Sequence, residues 1–136
     1  VYNSLILPYL TYCNMIWSAA CVTRLDRLLI LQKRAIRIIG KVEYRAHAEP
    51  LFKKFGLLNI SDIGQQQTSL LIYKFMKNSL PESFAEYFYL NSETHSHSTR
   101  QSAALHITFA RTVTRQKSVK IHGPHIWNQL SLDIAE

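Results

Sequence analysis

The segment LLILQKRAIRIIG, residues 28–40, places Lys33, Arg34 and Arg37 among aliphatic residues and contains no acidic side chain. At 100° per residue, most of its aliphatic positions fall on one stripe of a helix. That stripe is Leu25, Leu28, Leu29, Ala35, Ile36 and Ile39. Arg27 joins the three cations on the other side. We therefore expect an amphipathic helix that packs on one face and grips an anion with another.

Three further aliphatic residues, Ile30, Leu31 and Ile38, fall among the cations on this helix. Because aliphatic side chains are usually withdrawn from water, we expect part of the basic face to be covered as well. Gly40 follows the last helical residue, at the position where a left-handed residue often ends a helix. The sequence therefore predicts that the helix stops at Gly40.

The chain has 136 residues, of which 47% are hydrophobic, so it can bury a real core. Its 16 Lys and Arg against 9 Asp and Glu give a formal charge of +7. Such an excess favours polyanionic partners, of which nucleic acid is the commonest. The first residue is Val1, not Met, which leads us to expect a fragment of a longer polypeptide.

The periodicity predicts a mainly α fold, a bundle of about five helices with a small C-terminal β hairpin. Helices are expected near residues 2–20, 24–39, 47–56, 59–80 and 123–131. The hairpin would pair ALHITFA, residues 104–110, with SVKIHG, residues 118–123. We expect two parts, a helical bundle over residues 1–90 and a polar loop, hairpin and closing helix packed on it over residues 91–136.

Basic residues concentrate in two stretches, which are the candidate nucleic-acid-binding sites. Between Arg24 and Arg45 there are seven Lys and Arg against Asp26 and Glu43, and no acid lies between Glu93 and Asp133. The predicted contact residues are Arg27, Lys33, Arg34, Arg37, Lys41, Arg45, Arg111 and Arg115. Arginine suits this role because its planar fork can donate two bonds to one phosphate. The alternative is a solvated face balanced by acids elsewhere in a parent protein.

Tyr44 precedes Arg45 and could stack on a base, but packing within the protein is the favoured interpretation.

The three aspartates, Asp26, Asp62 and Asp133, are scattered, whereas a two-metal polymerase needs clustered carboxylates. We therefore expect no catalytic residues and no cofactor in this segment.

Six histidines raise the alternative of a metal site, which we do not favour because no Cys or acid accompanies them at ligand spacing. The candidates are His95, His97, His122 and His125.

The two cysteines, Cys13 and Cys21, match neither a zinc pair nor a disulfide framework, so we expect an intracellular setting, nuclear or cytoplasmic. Residues 1–23 carry no charge, but their polar residues fall on one side, which favours a packed helix over a membrane span.

Several blocks, in order along the chain, resemble the C-terminal region of reverse transcriptases from non-LTR retrotransposons of the jockey and CR1 type. The blocks are YNSLILPYLTYCNMIW, LQKRAIRII, YRAHAEPLFKKFGLLNISD, IYKFMKNSLP, HSTR and GPHIWNQLS. The blocks are distributed along essentially the entire chain, from residue 2 to residue 131, and the resemblance extends over that length. In that family this region follows the palm that carries the catalytic aspartates and begins in or just after the helical thumb.

The resemblance implies that the chain is the non-catalytic end of an RNA-directed DNA polymerase from a transposable element. Its expected partners are RNA or an RNA–DNA hybrid and the upstream palm and fingers, and no membrane. The family's paired catalytic aspartates have no counterpart here, so we expect the segment alone to be inactive. The alternative is a structural or protein-interaction module that makes no nucleic-acid contact.

Overall fold

The computed structural model describes residues 1–19, 22–94 and 100–130. Over these residues the chain is mainly helical, which confirms the predicted fold class. The α-helices are α1 (Leu7–Thr11), α2 (Asn14–Trp17), α3 (Val22–Ile39), α4 (Glu49–Phe55), α5 (Ile60–Met76), α6 (Asn91–Thr94), α7 (Val113–Gln116) and α8 (Val119–Gln129). A π-helical turn at Tyr2–Ile6 precedes α1, and a 3-10 turn occupies Glu82–Phe84.

The expected first helix is divided into short pieces. The break lies after α1, where Tyr12 is extended and Cys13 has a left-handed backbone with φ of 48°. Two side chains bond across it, since Asn14 Nδ2 donates to the Leu10 carbonyl at 2.8 Å and Trp17 Nε1 donates to the Tyr12 carbonyl at 2.7 Å. These bonds replace helical backbone bonds that the break removes.

Helix α3 ends in a Schellman turn that is shifted by one residue from its predicted position. Lys41, with φ of 50°, is the left-handed residue, so assigning that conformation to Gly40 was wrong. Lys41 N donates to the Ile38 carbonyl at 3.1 Å and Val42 N to the Arg37 carbonyl at 3.1 Å, as this motif requires. Gly40 lies beside α4, because a Cβ there would be in van der Waals contact with Leu51 Cδ2 at 3.4 Å.

The buried face of α3 contains a polar anchor, Gln32, which is 2% exposed. Its Nε2 donates to Tyr2 Oη at 2.6 Å and to the Leu58 carbonyl at 2.9 Å, while its Oε1 accepts from Ile60 N at 3.0 Å. A buried amide with these partners satisfies its own polar groups and those of two other segments. Gln32 therefore fixes which face of α3 is turned inward.

Aliphatic and aromatic side chains complete the core around Gln32 and Ile36. The buried members are Tyr2, Ile36, Ala48, Leu51 and Phe52, and Ile6, Leu7, Leu10, Ile39 and Leu57 pack against them. Helix α4 ends at Gly56, which has a left-handed backbone with φ of 60°. Asn59 caps α5, since its Oδ1 accepts from Ser61 N at 2.9 Å and Asp62 N at 3.1 Å.

The predicted β hairpin is not formed by the described residues. SVKIHG instead begins α8, where Ile121 and Pro124 are both buried three residues apart, which is a helical spacing. Pro124 consequently lies inside the helix and not at its start. From ALHITFA only Leu105 enters a β contact, an isolated antiparallel bridge with Leu90. The few apolar residues of SVKIHG fit both the two-residue period of a strand and the 3.6-residue period of a helix. In the structure this segment is helical and is buried against α5.

A second core surrounds Ile72, Phe88 and Leu105, and Trp127 of α8 packs against it. Asn128 supports this core from α8, because its Oδ1 accepts from Leu105 N at 3.1 Å and its Nδ2 donates to the Leu105 carbonyl at 2.9 Å. Leu105 thus has both backbone groups bonded although it lies outside a regular strand.

Internal contacts divide the chain into two compact units, Val1–Gln67 and a second unit from Thr68 onward. The expected division between residues 90 and 91, with the C-terminal part packed on the bundle, stays a prediction. In residues 1–19, 22–94 and 100–130, every helix falls short of the combined length and apolarity needed to cross a membrane.

Candidate nucleic-acid interface

The four cations predicted on α3 occupy one side of the helix but differ in exposure. Arg27 and Arg34, seven residues apart, are exposed, whereas Lys33 and Arg37, four residues apart, are half-buried. At 100° per residue the four span an arc of about 120°. Arg27 and Arg34 are therefore exposed to solvent, whereas Lys33 and Arg37 lie at the border of the buried face of the helix.

The aliphatic residues between these cations are not covered as expected. Ile30, Leu31 and Ile38 are 52%, 57% and 77% exposed. The expectation that part of the basic face is withdrawn from water was therefore wrong for the chain as described. A face on which guanidinium groups alternate with exposed aliphatic groups can contact both phosphate and apolar surface.

Carboxylates do not neutralise these cations within the described residues. None of the Lys and Arg side chains there lies within 4.0 Å of an Asp or Glu oxygen. The charge of the basic face is consequently available to an external anion. Coulomb attraction to a polyanion would then act without first breaking an internal ion pair.

A concave pocket of about 420 Å³ lies where α3 ends, lined by Arg34, Arg37, Ile38, Val42 and Tyr44. The Schellman turn reverses the chain here and brings Val42 and Tyr44 back beside the last turn of α3. The pocket therefore combines two guanidinium groups, two aliphatic groups and one aromatic ring.

Single hydrogen bonds hold the cations and the ring of this pocket in place. Arg34 Nη2 donates to Tyr44 Oη at 3.0 Å, and the Arg34 Cζ lies 5.6 Å from the centre of the Tyr44 ring. Arg37 Nε donates to the Ala46 carbonyl at 2.7 Å. Each guanidinium has five N–H groups, so both keep most of their donors for a ligand.

Tyr44 is 66% exposed and its only ring contact in the described structure is with Arg34. Its interpretation as a packed side chain was therefore wrong. Lys41 and Arg45 flank the pocket in sequence and are exposed. Their ammonium and guanidinium groups add to the positive charge at the C-terminal end of α3, where the helix dipole itself favours cations.

The remaining two predicted contact residues belong to the second unit. Arg111 and Arg115 are exposed, and Arg115 lies on α7, whose N-cap Thr112 accepts from Arg115 N through Oγ1 at 3.4 Å. Of the eight predicted residues, the structure brings Arg34 and Arg37 together in one pocket. Arg111 and Arg115 form a separate basic segment.

A second hollow, of about 540 Å³, lies in the second unit and has a different chemistry. Aromatic residues, including Phe75, Phe84 and Phe88, line much of it, and Glu82 and Glu93 contribute carboxylates. Carboxylates repel phosphate, so this hollow is a poor site for a nucleic-acid backbone. The pocket at the end of α3 is the better candidate.

Sequence reasoning identified the cations of the pocket but missed its apolar and aromatic walls. Ile38 was assigned to a covered face, and Val42 was not considered. The available signal was the aromatic residue Tyr44 within five residues of the predicted helix end, on a strongly basic stretch. Its exposure depends on the turn at Lys41, which the sequence placed one residue too early.

Metal chemistry finds little support in the described residues. No three His, Cys, Asp or Glu side chains are grouped there closely enough to hold an ion. His122 and His125 are exposed on α8, and the predictions about His95 and His97 fall outside the described residues.

Comparisons of the chain with family models, with curated proteins and with solved structures gave no match.

Proposed function

We propose that the chain is the non-catalytic C-terminal part of an RNA-directed DNA polymerase of a non-LTR retrotransposon, and that it binds template RNA or RNA–DNA hybrid. The working setting would be intracellular, in nucleus or cytoplasm, next to the palm and fingers of the parent enzyme. The resemblance of the sequence blocks motivates the family, and the basic face of α3 motivates the binding.

One observation carries the proposal, namely that the cations of α3 are arranged on one side and lack internal carboxylate partners among the described residues. Phosphate contacts made by such a face position a nucleic acid without reading its sequence. Arg34 and Arg37 are already oriented by hydrogen bonds to Tyr44 and Ala46, which lowers the entropy lost on binding.

A second candidate function is protein interaction, and the exposed Ile30, Leu31 and Ile38 favour it. Exposed aliphatic residues that share a helix face often mark a contact with another protein. In this alternative the face would pack on another part of the parent enzyme, and acids of that part would neutralise the arginines. RNA binding and its salt dependence separate the two functions.

The test is a titration of fluorescent RNA and RNA–DNA hybrid with the chain at several salt concentrations. If about four phosphates are engaged, log affinity should fall against log salt with a slope of about −3 to −4. The triple variant Arg27→Gln, Arg34→Gln, Arg37→Gln should lose most of this slope. Its melting temperature should fall only slightly, because it removes no ion pair among described residues and only the single hydrogen bonds of Arg34 to Tyr44 and of Arg37 to Ala46.

The matched control removes three charges elsewhere, with Lys53→Gln, Lys54→Gln and Lys77→Gln, all exposed in the structure. If net charge alone drives binding, both triple variants lose affinity equally and the proposed interface is refuted. An RNA affinity that does not change with salt would support the protein-interaction function instead. The same holds if the triple arginine variant melts at a much lower temperature but binds RNA with unchanged affinity.

A further inference from the structure

The pocket at the end of α3 contains more than a phosphate site requires. A backbone phosphate needs guanidinium or ammonium groups alone, and the exposed face already provides Arg27 and Arg34. The pocket adds an oriented aromatic ring, Tyr44, and two aliphatic walls, Ile38 and Val42. These groups suit the flat, apolar face of a nucleobase.

We propose that this pocket receives one unstacked nucleotide of a single strand, with its base against Tyr44 and its phosphate on Arg34 and Arg37. The inference rests on the proposed nucleic-acid binding and makes it more specific, because it assigns the ligand as a single-stranded segment. A fully paired duplex has its bases stacked on one another and offers the pocket no free base.

The geometry of Tyr44 supports this assignment. Its hydroxyl accepts from Arg34 Nη2 at 3.0 Å, so the ring is already held in one orientation. At 66% exposure, much of the ring remains accessible to a ligand. A ring that is ordered before binding loses less conformational entropy when a base stacks on it.

The positions of the two guanidinium groups support the same assignment. Arg37 is half-buried and is held through Nε by the Ala46 carbonyl at 2.7 Å, and its two terminal nitrogens donate no hydrogen bond within the part of the chain that the structure describes. Arg34 uses one N–H on Tyr44. Both can therefore donate to a phosphate attached to the nucleotide whose base contacts Tyr44.

The size of the pocket fits a ligand of this class. Its volume of about 420 Å³ lies inside the range of roughly 300–1,000 Å³ that is usual for small-ligand sites. Its walls come from the last turn of α3 and the turn that follows, so the site is formed within the first compact unit.

The experiment compares four 12-nucleotide probes by fluorescence anisotropy at several salt concentrations. They are oligo-dT, oligo-U, a duplex, and a strand with abasic sites that keeps the phosphates and lacks the bases. Tyr44→Leu should weaken binding of oligo-dT and oligo-U about tenfold, because a stacked base is lost. It should leave binding of the duplex and the abasic strand unchanged, and Tyr44→Phe should retain most of the affinity.

The control variant is Tyr9→Leu, which removes an exposed tyrosine of the first unit that is 81% exposed. It should bind all four probes as the unchanged chain does, and the thermal melting of both variants should match that of the unchanged chain, since both rings are exposed. A loss with Tyr44→Leu that is equal for the abasic strand would refute base stacking. A loss confined to oligo-U would place the contact on the 2′-hydroxyl and would also overturn the proposal.

These outcomes distinguish the inference from the proposed function on which it rests. If all probes bind with the expected salt dependence and Tyr44→Leu has no effect, the nucleotide pocket is refuted and phosphate binding stands. If no probe binds with a salt-dependent affinity, the proposed function itself fails, whatever the tyrosine variants do.

Discussion

Both compact units place a cation beside tyrosine, but in different surroundings. In the first unit Arg34 contacts Tyr44, whose ring is largely exposed. In the second unit the Lys120 ammonium lies 5.5 Å from the centre of the Tyr87 ring and 5.9 Å from that of Tyr89. Lys120 and Tyr87 are half-buried, and Tyr87 continues into an aromatic cluster.

The aromatic cluster explains why the second pair is structural. The Tyr87 ring lies 5.0 Å from that of Phe88 and 5.7 Å from that of Phe84, and Phe88 lies 5.2 Å from Phe75. Lys120 therefore covers rings that already hold the unit together. Around Tyr44 the described structure shows no such ring contacts, so its arginine is available to a ligand. The same pairing thus lies in a packed aromatic cluster in one unit and on an exposed surface, at the proposed binding site, in the other.

The largest expected effect comes from removing the two rings. Tyr87→Ala should lower the free energy of unfolding by about 2–3 kcal/mol, because packed aromatic contacts are lost from a half-buried site. Tyr44→Ala should change it by less than about 0.5 kcal/mol, as is usual for an exposed residue. Urea unfolding followed by circular dichroism measures both. Equal losses would show that Tyr44 is structural and would remove the contrast between the units.

A smaller effect is expected from the two cations. Lys120→Gln should lower the free energy of unfolding by about 0.5–1 kcal/mol, because contacts with two rings are lost. It should leave RNA affinity unchanged apart from the small loss expected for one positive charge fewer. Arg34→Gln should show the reverse, unchanged unfolding and weaker RNA binding. Chemical denaturation and anisotropy titration of the same two proteins provide the comparison. If Lys120→Gln weakens binding as much as Arg34→Gln, the assignment of the interface to α3 is wrong.

An effect of comparable size and opposite sign is expected at the turn that forms the pocket. Lys41 has φ of 50°, a conformation that costs a residue with a Cβ more than it costs glycine. Lys41→Gly should therefore raise stability by about 0.5–1 kcal/mol and should shift the salt slope by no more than about one unit.

Lys53→Gly is the matched control for this turn, since Lys53 lies inside α4. Glycine in a helix should lower stability by about 1 kcal/mol. Opposite signs in thermal melting would confirm the left-handed conformation at Lys41, and a loss of stability in both variants would contradict it.

Local patterns predicted the features that depend on a few consecutive residues. The 3.6-residue period of Leu25, Leu29 and Ile36 gave helix α3, and Gly56 gave the end of α4. Period alone failed where two assignments were equally compatible. SVKIHG alternates as a strand would, yet in the structure it belongs to helix α8. This helix packs closely on α5 at Gly123, where an added Cβ would lie 3.0 Å from Ile72 Cδ1.

The candidate site divides in the same way. The sequence by itself determined that Arg27, Lys33, Arg34 and Arg37 share one side of a helix, because helical geometry fixes the angle between residues of one segment. It also determined the excess of positive charge. Which cations are fully exposed was decided by tertiary structure, because the burial of Gln32 by Tyr2, Leu58 and Ile60 sets the rotation of α3.

The pocket itself was likewise decided only in three dimensions. Tyr44 reaches Arg34 because the Schellman turn at Lys41 folds the chain back along the helix it has just left. Gly40, which precedes Lys41 in that turn, lies beside Leu51 of α4. A contact between separate segments does not follow from the pattern of either one, and this is the physical reason why the sequence supplied the charges of the site but not its shape.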